Sequence, residues 1–177
     1  MEKPVLFCLL FMVVIFLSSC EFYTTKEKLA TYNRISGIND SLDKMTKEWH
    51  RLLDNAVSGK NYTALRPYRL GIAGFLDRDR EVVANLKMNT YSENLIDSEE
   101  VFLNNQASVV SDLYANFEIF TEMTPDETIQ GQLKQVVGEQ DSEMAGSRAI
   151  RRSLQAFVKN NNLKLKKSDS TKLHLRR

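Results

Sequence analysis

From residue 26 onward the apolar positions of the chain recur at steps of three and four. Tyr32, Ile35, Ile38, Leu42, Met45, Trp49, Leu52, Leu53 and Ala56 fall on one face of a 3.6-residue period, which predicts a helix over residues 26–58. Gly37 and the polar run Asn39-Asp40-Ser41 interrupt that stripe. A break near Gly37 is the alternative to one long helix, since glycine costs about 1 kcal/mol relative to alanine in a helix interior. Gly59 offers a C-terminal stop. A second stripe begins after Asn61 and runs through Leu65, Tyr68, Ile72, Phe75, Leu76, Val82, Val83 and Leu86 to about Met88. Pro67 fits its first turn, where a missing N–H costs nothing.

The third helix is predicted to start near Ser98, capped by Asp97 or Ser98, with Glu99 and Glu100 favourable against the helix dipole. Its stripe is Phe102, Val109, Leu113, Phe117 and Phe120, with Tyr114 at the edge, and it ends before Thr124. The fourth has the clearest start: Thr124-Pro125-Asp126-Glu127 reads as a capping box with proline at the first helical position. Ile129, Leu133, Val136, Val137, Met144, Ile150, Leu154, Phe157 and Val158 carry it to Asn160-Asn161-Asn162, with a kink expected between Gly138 and Ser142. Four long amphipathic patterns joined by short polar links imply an all-α antiparallel four-helix bundle. Leu163-Lys164-Leu165-Lys166 and Lys172-Leu173-His174-Leu175 alternate as strands do, but neither has an evident partner.

Ahead of the bundle the pattern changes character. Lys3 precedes an unbroken apolar run from Val5 to Leu17, followed by Leu17-Ser18-Ser19-Cys20. The run is too short for the roughly 20 residues that span a bilayer, and it ends on small residues, as a secretory signal does. An aliphatic residue, two small residues and a cysteine form a bacterial lipobox. The reading is that a signal peptidase recognises Leu17, Ser18 and Ser19, cleaves after Ser19, and leaves Cys20 lipidated. The alternatives are a plain signal peptide with an incidental Cys20, or an uncleaved signal anchor. The domain reading is therefore a signal peptide over 1–19, a lipidated tether over 20–25, the bundle over 26–162 and a basic, disordered tail over 163–177. Several acyl chains anchor stably, each buried methylene contributing about 0.8 kcal/mol, so no second membrane segment is needed.

Cysteine and charge narrow the function classes. Once Cys8 leaves with the signal, Cys20 is the one cysteine left, so no disulfide framework and no thiolate metal cluster can form. The net charge of +1 conceals a polarity along the chain. Residues 21–70 carry +3, residues 71–143 carry −11 and residues 144–177 carry +9. Complementary charge between neighbouring helices is the simpler reading of this pattern. The basic end, including Arg148, Arg151, Arg152, Lys159 and Lys164, is the candidate face for an anionic lipid or envelope polymer. Export argues against nucleic acid.

Catalytic and metal chemistry find little support. A di-iron bundle needs Glu-x-x-His pairs. The mature chain has His50 and His174, preceded at that spacing by Lys47 and Thr171. His50 reads as a surface partner of Asp54. There is no Gly-x-Ser-x-Gly elbow, and Gly71-Ile72-Ala73-Gly74 lacks the Lys-Ser/Thr of a phosphate loop. Those small residues read as allowing close helix approach, and Asp77-Arg78-Asp79-Arg80-Glu81 reads as a solvated face. No catalytic residue, metal ligand or cofactor is expected.

The chain resembles the small helical surface lipoproteins of spirochaetes and Bacteroidetes-type bacteria, whose functions are uncharacterised. The resemblance is carried by the Leu17-Ser18-Ser19-Cys20 lipobox, by Ala30-Thr31-Tyr32-Asn33, and by the ending Gln155-Ala156-Phe157-Val158-Lys159-Asn160-Asn161-Asn162-Leu163. It brings no catalytic residues with it. The expectation is a membrane-anchored envelope lipoprotein, outer membrane favoured, either periplasmic or surface-exposed. Its role is structural or in binding an envelope protein. The alternative is a module that binds a ligand or anionic polymer in a groove rimmed by Trp49, Tyr62, Tyr68 and the basic helix.

Overall fold

The computed structural model describes the backbone of residues 3–86 and 92–165, and the side chains of 25–86 and 92–165. The chain is all-α: α1 (Lys3–Gly59), α2 (Leu65–Leu86), α3 (Glu93–Ser108) and α4 (Asp126–Asn160). A π-helical turn (Val109–Leu113) and a 3₁₀ helix (Tyr114–Ile119) extend α3. The four helices pack as a bundle, α2 against α1 and α3, and α4 against α3 and α1. Among the described residues there is no strand. Leu163-Lys164-Leu165 is irregular, and the segment around Leu173 lies outside the described residues.

α1 passes Gly37 without a break. The stripe Tyr32, Ile35, Ile38, Leu42, Trp49, Leu53 and Ala56 is buried along it, so tertiary packing on one face outweighs the local cost of one glycine. The same helix carries the backbone of Leu17, Ser18, Ser19 and Cys20 and of the expected tether 20–25. The helix stops as expected at Gly59, but the left-handed residue is Lys60, at φ 50°, and Asn61 N–H closes the turn on Ala56 O at 3.0 Å. Pro67 sits in the first turn of α2, as its missing donor requires. Gly71 and Gly74 face open space, so they do not serve a close helix approach.

α3 departs furthest from expectation. It begins at Glu93, five residues before Ser98, and Leu95 and Ile96 are buried in its first turns. The core-facing positions are Leu95, Ile96, Glu99, Phe102, Leu103 and Gln106. The two polar members broke the apolar stripe and hid the start of the helix. Beyond Ser108 the buried residues are Val110 and Tyr114 rather than Val109 and Leu113. The wider i→i+5 turn holds residues four apart on one face, which carries Tyr114 inward.

Tyr114 lands flat on Trp49, with ring centroids 3.5 Å apart and planes 3° from parallel. Phe117 meets the indole edge-on at 6.0 Å, and Phe120 continues the cluster to Tyr62. This aromatic file ties α1 to the extension of α3.

α4 also corrects the sequence reading at its start. The Thr124 hydroxyl accepts from Thr121 N–H at 2.8 Å, so it closes the preceding turn instead of capping the helix. Pro125 stands at the cap, and Thr128 N–H bonds its carbonyl at 3.0 Å. α4 then runs uninterrupted through Gly138 to Asn160. Its end is a Schellman motif: Leu163 N–H reaches Val158 O at 3.0 Å, Asn162 N–H reaches Lys159 O at 3.2 Å, and Asn162 takes φ 51°. Leu163, assigned to the tail by sequence, is buried beside Phe157 and Leu154 in the core. The remainder of the tail, 166–177, lies outside the described residues.

Candidate functional site

α1 and α4 meet along a seam that opens into a cleft of about 350 Å³, with α3 behind it. Leu42, Phe102, Ile150 and Leu154 form an apolar floor, each at a helical position that faces the core. Ser36, Asn39, Asp40, Asp43, Lys44 and Thr46 line the α1 wall, and Glu143, Ser147 and Arg151 line the α4 wall. Gln106 reaches it from α3. Only 4% of Gln106 is exposed, and its carboxamide has no hydrogen-bond partner among the described residues.

One end of the cleft is built by a polar cluster. Tyr114 Oη donates to Glu143 Oε1 at 3.2 Å and lies 3.3 Å from His50 Nε2. His50 Nε2 is 3.8 Å from Glu143 Oε2, and Gln140 Nε2 is 3.3 Å from His50 Nδ1. Burial, reinforced by the neighbouring Glu143 carboxylate, pushes the Tyr114 phenol well above its ordinary pKa, so the hydroxyl stays a donor. Glu143 is thereby fixed in position with its carboxylate toward the cleft.

Behind the α1 wall lies a second acidic group. Asn39 Nδ2 donates both to Ile35 O at 2.9 Å and to Glu99 Oε2 at 2.8 Å. Glu99 is fully buried, and its Oε1 has no partner. Burial pushes its pKa up to about 7, the Asn39 hydrogen bond opposes the rise, and the charge of Asp79 adds to it. Asp79 itself is buried and paired with Arg34 at 3.1 Å.

The residues picked out by sequence are distributed differently from expectation. Trp49 and Tyr62 are buried, so the expected aromatic rim does not exist, and the cleft lies at the α1–α4 seam. His50 bonds the Tyr114–Glu143–Gln140 cluster rather than Asp54. Of the run Asp77–Glu81, Asp77 and Arg80 form an exposed pair, whereas Asp79 points inward. The cations that pair across elements with the acidic middle come from the first third of the chain. Arg34 meets Asp79, Lys60 meets Asp126, and Arg66 and Arg69 meet Glu118. On the basic end, Arg148, Arg152 and Lys159 are exposed, and Arg151 turns into the cleft. Leu17, Ser18, Ser19 and Cys20 sit on α1, and their side chains lie outside the described residues.

Among the described residues no group of three or more His, Cys, Asp or Glu is placed to hold a metal ion, and no helix is long and apolar enough to cross a membrane. His174 falls outside them. What the cleft offers chemically is hydrogen bonding from carboxamides and hydroxyls, charges of both signs and an apolar floor. Gln106 and Glu99 were concealed by their type, and their signal was present: polar residues at core-facing positions of an apolar period.

No family model matches the chain, and neither the curated proteins nor the solved structures include a match to it.

Proposed function

We propose that the protein is a lipid-anchored lipoprotein of the bacterial cell envelope whose bundle has a structural or interaction role rather than a catalytic one. The observation that carries this reading is Leu17-Ser18-Ser19-Cys20 at the end of the apolar run from Val5 to Leu17. Its support is chemical: small residues admit a signal peptidase, and a thioether-linked lipid with a second acyl group gives stable attachment. The outer membrane is the favoured location. In cells fed labelled palmitate, Cys20→Ser should lose the label and accumulate as uncleaved precursor. Normal processing of that variant overturns the reading.

A second reading, a binding module, is favoured by one specific observation. The α1–α4 cleft combines an apolar floor with convergent polar groups, which is the composition of small-molecule sites. Its test is a titration of the purified chain with candidate ligands, as set out next.

A further inference from the structure

We propose that the α1–α4 cleft binds a short peptide with free termini, about three residues long, with an apolar side chain on the floor. The inference rests on the binding-module reading and names its ligand class. Three features of the cleft point the same way.

The first is Gln106. A buried carboxamide is normally hydrogen-bonded, and this one, 4% exposed at the cleft wall, meets no group among the described residues. A carboxamide both donates and accepts, which is the complement of one peptide unit. Ser36 and Ser147, on the two facing walls, offer hydroxyls of the same dual character to a second unit.

The second is the arrangement of charge. Glu143 and Arg151 lie on the same wall eight residues apart, hence about 12 Å along the helix axis. Tyr114 fixes Glu143 at one end, and Arg151 Nε is held by Ser147 O at 3.4 Å toward the other. An extended tripeptide measures roughly 10 Å from amine to carboxylate. The amine then meets Glu143 and the carboxylate meets Arg151, whose guanidinium suits carboxylate geometry. A neutral sugar satisfies neither end.

The third is the floor. Leu42, Phe102, Ile150 and Leu154 leave an apolar surface between the two charged ends. That is where the central side chain of such a peptide falls. The volume of about 350 Å³ is at the lower end for ligand sites, which suits a tripeptide and not a folded partner.

The test uses the purified full-length chain, titrated with Ala-Phe-Ala by calorimetry and by the fluorescence of the single tryptophan. Trp49 stacks on Tyr114, which holds Glu143, so occupancy at that end is read by the indole. Saturable binding is expected, weakened at least ~10-fold by N-acetylation or by C-amidation of the peptide. Gln106→Leu and Arg151→Gln should each weaken it by a similar factor, while Arg152→Gln on the exposed face leaves it unchanged. Should Gln106→Leu fail to fold, Arg151→Gln with the two blocked peptides carries the same test. Equal affinity for free and blocked peptides, or no effect of Arg151→Gln, overturns the proposal. Binding of glucosamine without the peptide overturns the ligand class while leaving a binding cleft. No response to either probe overturns both.

Discussion

Asn39 Nδ2 donates to Glu99 Oε2 at 2.8 Å and so satisfies one oxygen of a carboxyl that is fully buried among three helices. The other oxygen has no partner, and Asp79 adds negative charge nearby. The bundle therefore favours the protonated acid, and this has a measurable sign.

The folded pKa of Glu99 lies near 7, above the ordinary carboxyl value of 4.5. Folding binds the proton more tightly, so the stabilising contribution is complete below about pH 4.5 and is lost as pH rises through 7. The size of the loss is about 3 kcal/mol. Glu99→Gln removes the titration while keeping an acceptor for Asn39. Urea unfolding from pH 5 to 8 should show the variant gaining on the wild type by about 2 kcal/mol at the alkaline end. A parallel pH dependence in the two proteins would show that Glu99 is not the group.

Two glycines of α4 separate helix propensity from packing. A Cβ at Gly138 meets open space, so Gly138→Ala should stabilise by about 1 kcal/mol. A Cβ at Gly146 would come within 3.0 Å of Phe102 Cδ2, in a core residue with little room to yield. Gly146→Ala should lose about 1 kcal/mol net, overpacking outweighing the same propensity gain. Denaturant midpoints of the pair decide it, and two midpoints moving in the same direction would remove the contrast.

The end of α4 should respond to backbone conformation. Asn162 occupies the left-handed region, which alanine enters only at a cost, so Asn162→Ala should destabilise by about 1 kcal/mol while Asn162→Gly is neutral or better. Lys60→Gly, at the equivalent position after α1, should raise the thermal midpoint even though its exposed pair with Asp126 is lost. Leu163→Ala should cost about 2 kcal/mol by emptying the contact that closes the motif. Thermal and urea melts of the four variants check the set.

Tyr114 has two roles that one pair of substitutions distinguishes. Tyr114→Phe keeps the stack on Trp49 and removes the hydroxyl that holds Glu143; its cost should stay near 1 kcal/mol. Tyr114→Ala removes the ring and should cost about 3–5 kcal/mol, with a red shift of tryptophan emission as the indole meets water. Equal losses in the two variants would place the energy in the hydrogen bond instead of the ring.

The sequence was most legible where burial and period coincide. The stripe from Tyr32 to Ala56 reads directly as one helix face because every member is apolar. It was least legible where polar groups occupy that face: Glu99 and Gln106 disguised the first half of α3 as a loop and its partner as a cap. Periodicity also gives a face without saying what covers it. Trp49 looked free to rim a groove until the π-helical turn brought Tyr114 over it, an alignment that depends on winding and not on residue type. The cleft was invisible for the same reason: Asn39 and Arg151 are 112 positions apart, and no local pattern joins them.

One consequence follows from the unbroken course of α1. At 1.5 Å per residue, Gly59 stands about 58 Å along the axis from Cys20, and the stretch from Ser36 to Thr46 that walls the cleft stands about 24–39 Å from it. With Cys20 held in a bilayer, the same rod sets both the elevation of the opening above the headgroups and the direction from which it is approached. Inserting residues into the segment between Cys20 and Thr31 would raise the opening and rotate it by 100° per residue around that rod, without touching the cleft itself.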